Sequence, residues 1–129
     1  MAFFSLYFIN FSVVNMLFTN SLKNQDFQNV YKSGKSYANK YLVIYTLKNN
    51  SDVNRLGISV SKKVGNSVVR HRVKRLIKES YRLHEKMFNS GLDIAVIARK
   101  GSDACDYASI ESALLHLMKL NGTLDTVKG

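Results

Sequence analysis

Proline is missing from the chain altogether, cysteine occurs once, as Cys105, and acidic residues are few. The missing proline, beside abundant Asn and Lys, reads as a bias of nucleotide composition and implies no function. A single cysteine excludes an internal disulfide and a cysteine-only metal site, so a reducing compartment is the default. Cys105 itself reads as a small apolar filler near the start of the last helix. Nine acidic residues against 19 basic ones give a net charge of +10 and a pI near 9.8. That balance asks for an acidic partner: RNA, DNA or an anionic membrane. Glycine-rich phosphate loops of the common types are also absent. The carboxylates are scattered singly, whereas two-metal nuclease chemistry needs them to converge on ions about 4 Å apart. Asp103 and Asp106 read as charges complementing a helix N-terminus. His71, His84 and His116 fall on predicted helices without a cysteine or acidic cluster beside them, and His84, on an apolar face, reads as a core residue. No catalytic residue and no metal ligand is assigned.

What the chain does have is a run of cations. At 129 residues, with no repeat or linker and 46% hydrophobic residues, it is one domain with one core. The stretch from Ser61 to Lys78 reads S-K-K-V-G-N-S-V-V-R-H-R-V-K-R-L-I-K. Its second half predicts a helix, capped by Asn66 or Ser67 and stopped by Asn89-Ser90-Gly91. Wound at about 3.6 residues per turn, that helix gathers Val69, Val73, Leu76, Ile77, Ser80, His84 and Met87 on one side. Arg70, His71, Arg72, Lys74, Arg75, Lys78, Arg82 and Lys86 spread over the other, with only Glu79 and Glu85 as anions. Charged helix faces are usually just solvated. Solvated faces, however, mix signs, because like charges at i,i+4 repel; Arg70, Lys74 and Lys78 stand in that relation with no anion on their ridge. A polyanion relieves such repulsion. The loop Lys62-Lys63-Val64-Gly65 adds two cations, a turn read as needing glycine, and the positive end of the helix dipole, which together suit a phosphate.

The remaining elements follow in order. Residues 1–20 carry no charge. Without a basic start or a cleavage site they make a poor signal peptide, and Asn10 and Asn15 interrupt a spanning helix. They are expected to be a non-native or disordered extension, with translation starting at Met16; a membrane or organelle-targeting segment is the second reading. From Ser21 a short helix runs to about Tyr31, ended by Lys32-Ser33-Gly34. Lys35 to Ala38 reads as a short strand, Tyr41 to Leu47 and Arg55 to Ser61 as two more, and their adjacency suggests an antiparallel pair. Leu92 to Ala98 is a buried strand. A final helix begins at Ser102 or Asp103 with Tyr107, Ile110, Leu114, Leu117 and Met118 on one face. It closes at Asn121-Gly122, and residues 123–129 are a frayed tail.

The run V-S-K-K-V-G-N-S-V-V-R-H-R-V-K-R from Val60 to Arg75 resembles the signature of the bacterial ribonuclease P protein component, V-S-K-K-x-G-x-A-V-x-R-N-R-x-K-R. His71 stands where that family has Asn; it can still donate a hydrogen bond to RNA, with some pH sensitivity. Asp26-Phe27-Gln28-Asn29-Val30-Tyr31 with Gly34 resembles the family's D-F-x-x-V-[FY]-x-x-G, and Ala38-Asn39-Lys40 and Ile97-Ala98-Arg99-Lys100 fall where it has similar runs. The resemblance spans roughly Ser21 to Leu120. It implies an α+β fold: a two-layer α/β sandwich, a four-stranded mixed sheet with three helices in the order α-β-β-β-α-β-α, like a domain of ribosomal proteins, and a left-handed βαβ crossover through the basic helix. Strand rules alone favour the right-handed form.

The resemblance also implies an accessory subunit of an endoribonuclease. The RNA subunit, with Mg²⁺, would remove the 5′ leader of precursor tRNA in the bacterial cytoplasm or an organelle. Lys62, Lys63, Arg70, His71, Arg72, Lys74, Arg75 and Lys78 would grip the catalytic RNA. Phe27, Tyr31, Tyr45 and, less firmly, Lys35 would line a cleft for the single-stranded leader. Spacing alone makes the three aromatics core residues, Phe27 above all. A general RNA-binding or ribosomal module is the alternative, and a membrane-surface protein using the Phe-rich start and the basic face is a third reading.

Overall fold

A computed structural model describes residues 19–122. The expected frayed tail and residues 1–18 of the expected extension lie outside the described residues. The elements are β1 (Thr19–Ser21), α1 (Asn24–Ser33), β2 (Lys35–Ala38), β3 (Leu42–Lys48), β4 (Asn54–Val60), α2 (Ser67–Leu83), β5 (Leu92–Ala98) and α3 (Tyr107–Asn121). Short 3₁₀ turns at Glu85–Met87 and Ser102–Ala104 flank β5. The sheet order is β1-β4-β5-β3-β2, with β1–β4 and β4–β5 parallel and β5–β3 and β3–β2 antiparallel.

β5 organises the sheet. Its residues are buried on both faces save Ile97, so it sits between two strands and under helices, as a continuously apolar strand must. This overturns the expected β3–β4 hairpin. β5 lies between those strands, and Asn49 donates to the Gly91 carbonyl at 3.0 Å instead of turning back onto β4. The sheet has five strands where the resemblance implies four. The fifth, β1, runs through Thr19 and Asn20, so a boundary drawn at residue 20 falls within a strand. Three residues, two of them exposed, carry no alternating pattern to read. What fixes β1 is tertiary: Thr19 Oγ1 lies 3.0 Å from the Tyr81 hydroxyl, and Leu22 donates to the Leu56 carbonyl at 2.9 Å.

Helices cover both faces. α2 and α3 bury Val73, Ile77, Tyr81, Ile110, Leu114 and Leu117 against Leu42, Ile44, Leu56, Ile94 and Val96. On the other face α1 packs Val30 with Leu22 against Ala95, so the sheet is not the open second layer of a two-layer sandwich. Tyr81, one helical turn beyond Ile77, is fully buried and meets Phe88 at a tilt with ring centroids 4.8 Å apart. Met87, expected on the apolar side, is 43% exposed. For Met87 the reason is local: α2 ends at Leu83, short of the Asn89-Ser90-Gly91 stop, and the 3₁₀ turn rotates Met87 outward and Phe88 inward. A second 3₁₀ turn occupies Ser102–Ala104, so α3 starts later, at Tyr107. Its cap is Asp106, whose carboxylate accepts from the Ser109 N–H at 2.9 Å. Cys105 is buried, and burial raises its thiol pKa.

Candidate nucleic-acid interface

The cationic strip begins where β4 gives way to α2. Asn66 caps the helix, its Oδ1 accepting from the Val69 N–H at 3.0 Å. No acidic residue occupies the first turn, so the positive end of the dipole is left uncompensated for a bound anion. Gly65 has no positive φ; its requirement is space, since a Cβ there would lie 2.9 Å from Val69 Cγ1. Arg70 Nε donates to the Gly65 carbonyl at 3.1 Å, holding the guanidinium over the helix entrance.

Down the helix, Lys62, Lys63, His71, Arg72 and Lys74 are exposed, and Arg70, Arg75 and Lys78 half-buried. Arg72 differs from its neighbours: its guanidinium donates to the carbonyls of Asp103 and Cys105, clasping α2 to the turn before α3. Backbone carbonyls leave its charge intact. Among the described residues the recorded ion pairs are Arg55 with Asp26 and Asp93, Arg82 with Glu79, and His84 with Glu111. None takes in Lys62, Lys63, Arg70, Arg72, Lys74 or Lys78, so the charge of these six is not answered by those carboxylates. Strand register brings more cations to the same end of the sheet. Val60, Ala98 and Leu42 are neighbours, so Lys62 and Lys63 follow one strand, Arg99 and Lys100 follow the next, and Lys40 precedes the third. Arg99 Nη1 donates to the Asn39 carbonyl at 2.6 Å. The sequence shows Lys40, Arg99 and Lys100 as separate short runs; only pairing joins them.

The opposite face carries the aromatics. Phe27 and Tyr31, on successive turns of α1, have ring centroids 5.8 Å apart, and Tyr31 meets Tyr45 of β3 edge-on at 5.1 Å. Phe27 lies directly on Gly57, where a Cβ would fall 2.1 Å from its Cζ. All three rings are half-buried and pack against the cluster of Leu22, Val30 and Ala95. Burial, and secondarily the neighbouring Tyr45, raises the pKa of the Tyr31 phenol. Lys35 does not join them. It pairs with Thr46, whose side chain is buried on the α2–α3 face, whereas Ser36 stands opposite Tyr45. Because side chains alternate across a strand, Ser36, not Lys35, borders the rings.

His84, expected in the core, is half-buried, its Nε2 lying 2.7 Å from Glu111 Oε2, and the Tyr107 hydroxyl donates to the same oxygen at 3.2 Å. That contact holds the Glu111 carboxyl below its ordinary pKa. Burial, with Glu111 alongside, pushes the Tyr107 phenol up to about 12.

An α+β domain with a ridge of cations on one helix and half-buried aromatics across the sheet combines the features of an RNA-binding surface. The chain matches the Ribonuclease P family over residues 19–121. It is 65% identical over 104 residues to the ribonuclease P protein component of Lachnoclostridium phytofermentans, covering 80% of this chain and 90% of that one. Among solved structures, the Staphylococcus aureus RNase P protein superposes with a TM-score of 0.75 at 41% identity, covering 83% of this chain and 97% of that one. The Thermotoga maritima protein gives 0.72 at 35% identity, covering 78% and 96%. The chain belongs to the ribonuclease P protein component family.

Proposed function

We propose that this chain is the protein subunit of a bacterial ribonuclease P, acting with a catalytic RNA to remove the 5′ leader of precursor tRNA. The observation that carries the reading is the division of labour between the two faces. Along α2, Lys62, Lys63, Arg70, His71, Arg72, Lys74, Arg75 and Lys78 hold the ribozyme's phosphates, while Phe27, Tyr31 and Tyr45 stack on unpaired bases of the leader. In this reading Mg²⁺ enters with the RNA subunit and the protein supplies no reacting group. Its contribution is electrostatic and geometric: it offsets the repulsion between two RNAs and fixes the leader's path. The β4–α2–β5 connection takes the left-handed crossover that the family resemblance implies, and the site of action is the cytoplasm. Among the described residues no helix is long and apolar enough to cross a membrane.

Reconstitution tests the proposal. The purified chain should restore precursor cleavage to its cognate RNA at low Mg²⁺ and leave mature tRNA 5′ ends. RNA binding without stimulated cleavage would instead mark a general RNA-binding module.

A further inference from the structure

Arg55 is half-buried, yet it lies in neither the cationic strip nor the ring cluster. Its guanidinium grips Asp93 bidentately, Nε to Oδ1 at 2.7 Å and Nη2 to Oδ2 at 2.6 Å, while Nη1 donates to Asp26 Oδ2 at 3.0 Å. Asp93 is almost fully buried on β5 and also accepts from Asn49 Nδ2 at 3.0 Å. Asp26 belongs to the first turn of α1, immediately before Phe27. The fork therefore runs from the fixed centre of the sheet to the end of the helix that carries the rings.

α1 needs such a fastening. It has ten residues, its N-cap Lys23 makes no side-chain cap bond, and Val30 alone within it is buried. Helices this short are marginal without tertiary contacts. Bidentate, charge-assisted bonds add direction as well as strength, and Gly57 seats Phe27 against the strand just beyond Arg55. Two carboxylates around one guanidinium leave the cluster with net negative charge, which does not suit a phosphate ligand. Its office is placement.

We infer that Arg55, held by Asp93 and holding Asp26, is a positioning residue that sets α1 against the sheet and thereby fixes the Phe27–Tyr31–Tyr45 cleft for single-stranded RNA. The inference rests on the leader-binding reading above. Its test uses the holoenzyme reconstituted with its cognate RNA and precursor tRNAs carrying either a leader of several nucleotides or a leader cut to one. Asp26→Asn removes the ionic partner with little change of shape. It should weaken binding of the long-leader precursor about fivefold to tenfold. Single-turnover cleavage at saturation, the short-leader substrate, and the affinity and salt dependence toward the ribozyme should stay unchanged. Arg55→Met should do the same or more, and Arg55→Lys, which keeps a cation without the fork, should fall between. If Asp26→Asn binds the long-leader precursor like the parent protein, or loses ribozyme affinity in equal measure, the inference is overturned. Should the parent protein itself show no preference for the long leader, the leader reading falls as well; a parental preference that survives in Asp26→Asn sinks the positioning role alone.

Discussion

The two faces of this molecule treat charge in opposite ways. Along α2, Arg70, Lys74 and Lys78 form a ridge that none of the ion pairs recorded among the described residues takes in, Arg82 nearer the helix end pairs with Glu79, and the apolar side is sealed on the sheet. On the α1 face Arg55 is enclosed by Asp26 and Asp93, beside half-buried aromatic rings. The first surface stores electrostatic free energy that a polyanion releases. The second uses its charges internally, to hold geometry. Strength and salt sensitivity are therefore expected from α2, and selectivity for unpaired bases from α1.

The largest expected effect comes from emptying the strip. Replacing Arg70, Lys74 and Lys78 by Ala should lower the log–log salt slope of ribozyme binding by about one per lost contact. With roughly 0.7–0.9 counterions released per contact, the three together are worth about 3–4 kcal/mol at about 0.1 M salt. Filter binding across a salt series reads both. An unchanged slope would erase the contrast between the faces. Next comes Tyr31→Ala, expected to cost about 1–3 kcal/mol in binding leader-bearing precursor, as one lost stack does, with mature tRNA unaffected. Equal losses on both substrates would mean the rings serve packing only.

The smallest effect concerns the His84–Glu111 contact between the end of α2 and α3. The Glu111 carboxyl, in contact with His84, lies below its ordinary value of 4.5 in the folded protein. A depressed acid stabilises above its unfolded pKa, and that contribution disappears as pH falls through the folded value. Thermal unfolding of Glu111→Gln should therefore trail the parent protein by about 0.2–1 kcal/mol near pH 6. The two should converge as pH falls below the depressed folded value of Glu111. A gap that persists at low pH would assign the effect to packing.

Much of the strip could be read directly from residue order, because a helix maps sequence spacing onto a surface and the sign of each charge is fixed by its residue. The end of that helix could not. Met87 goes outward because the chain leaves the α-helix at Leu83, and no residue there announces the change, whereas Tyr81 follows Val73 and Ile77 inward at the helical spacing. The aromatics were legible as apolar residues on successive turns, but their half-buried state depends on Gly57, some thirty residues away in the chain, leaving room for Phe27. Lys35, which the resemblance puts in the cleft, falls on the other face because strand register pairs it with Thr46 and sets Ser36 opposite Tyr45.

From the amino-acid order alone came the net positive charge, the three helices, the buried apolar strand Leu92–Ala98 and the cationic ridge on α2. All of these are properties of local periodicity and formal charge, which need no partner to be defined. The tertiary structure decided the insertion of β5 between β3 and β4, the addition of β1, the gathering of Lys40, Arg99 and Lys100 beside Lys62, and the Asp26–Arg55–Asp93 fork. Each joins residues distant in the chain, and such contacts are chosen by the packing of the whole core rather than by any short stretch of sequence.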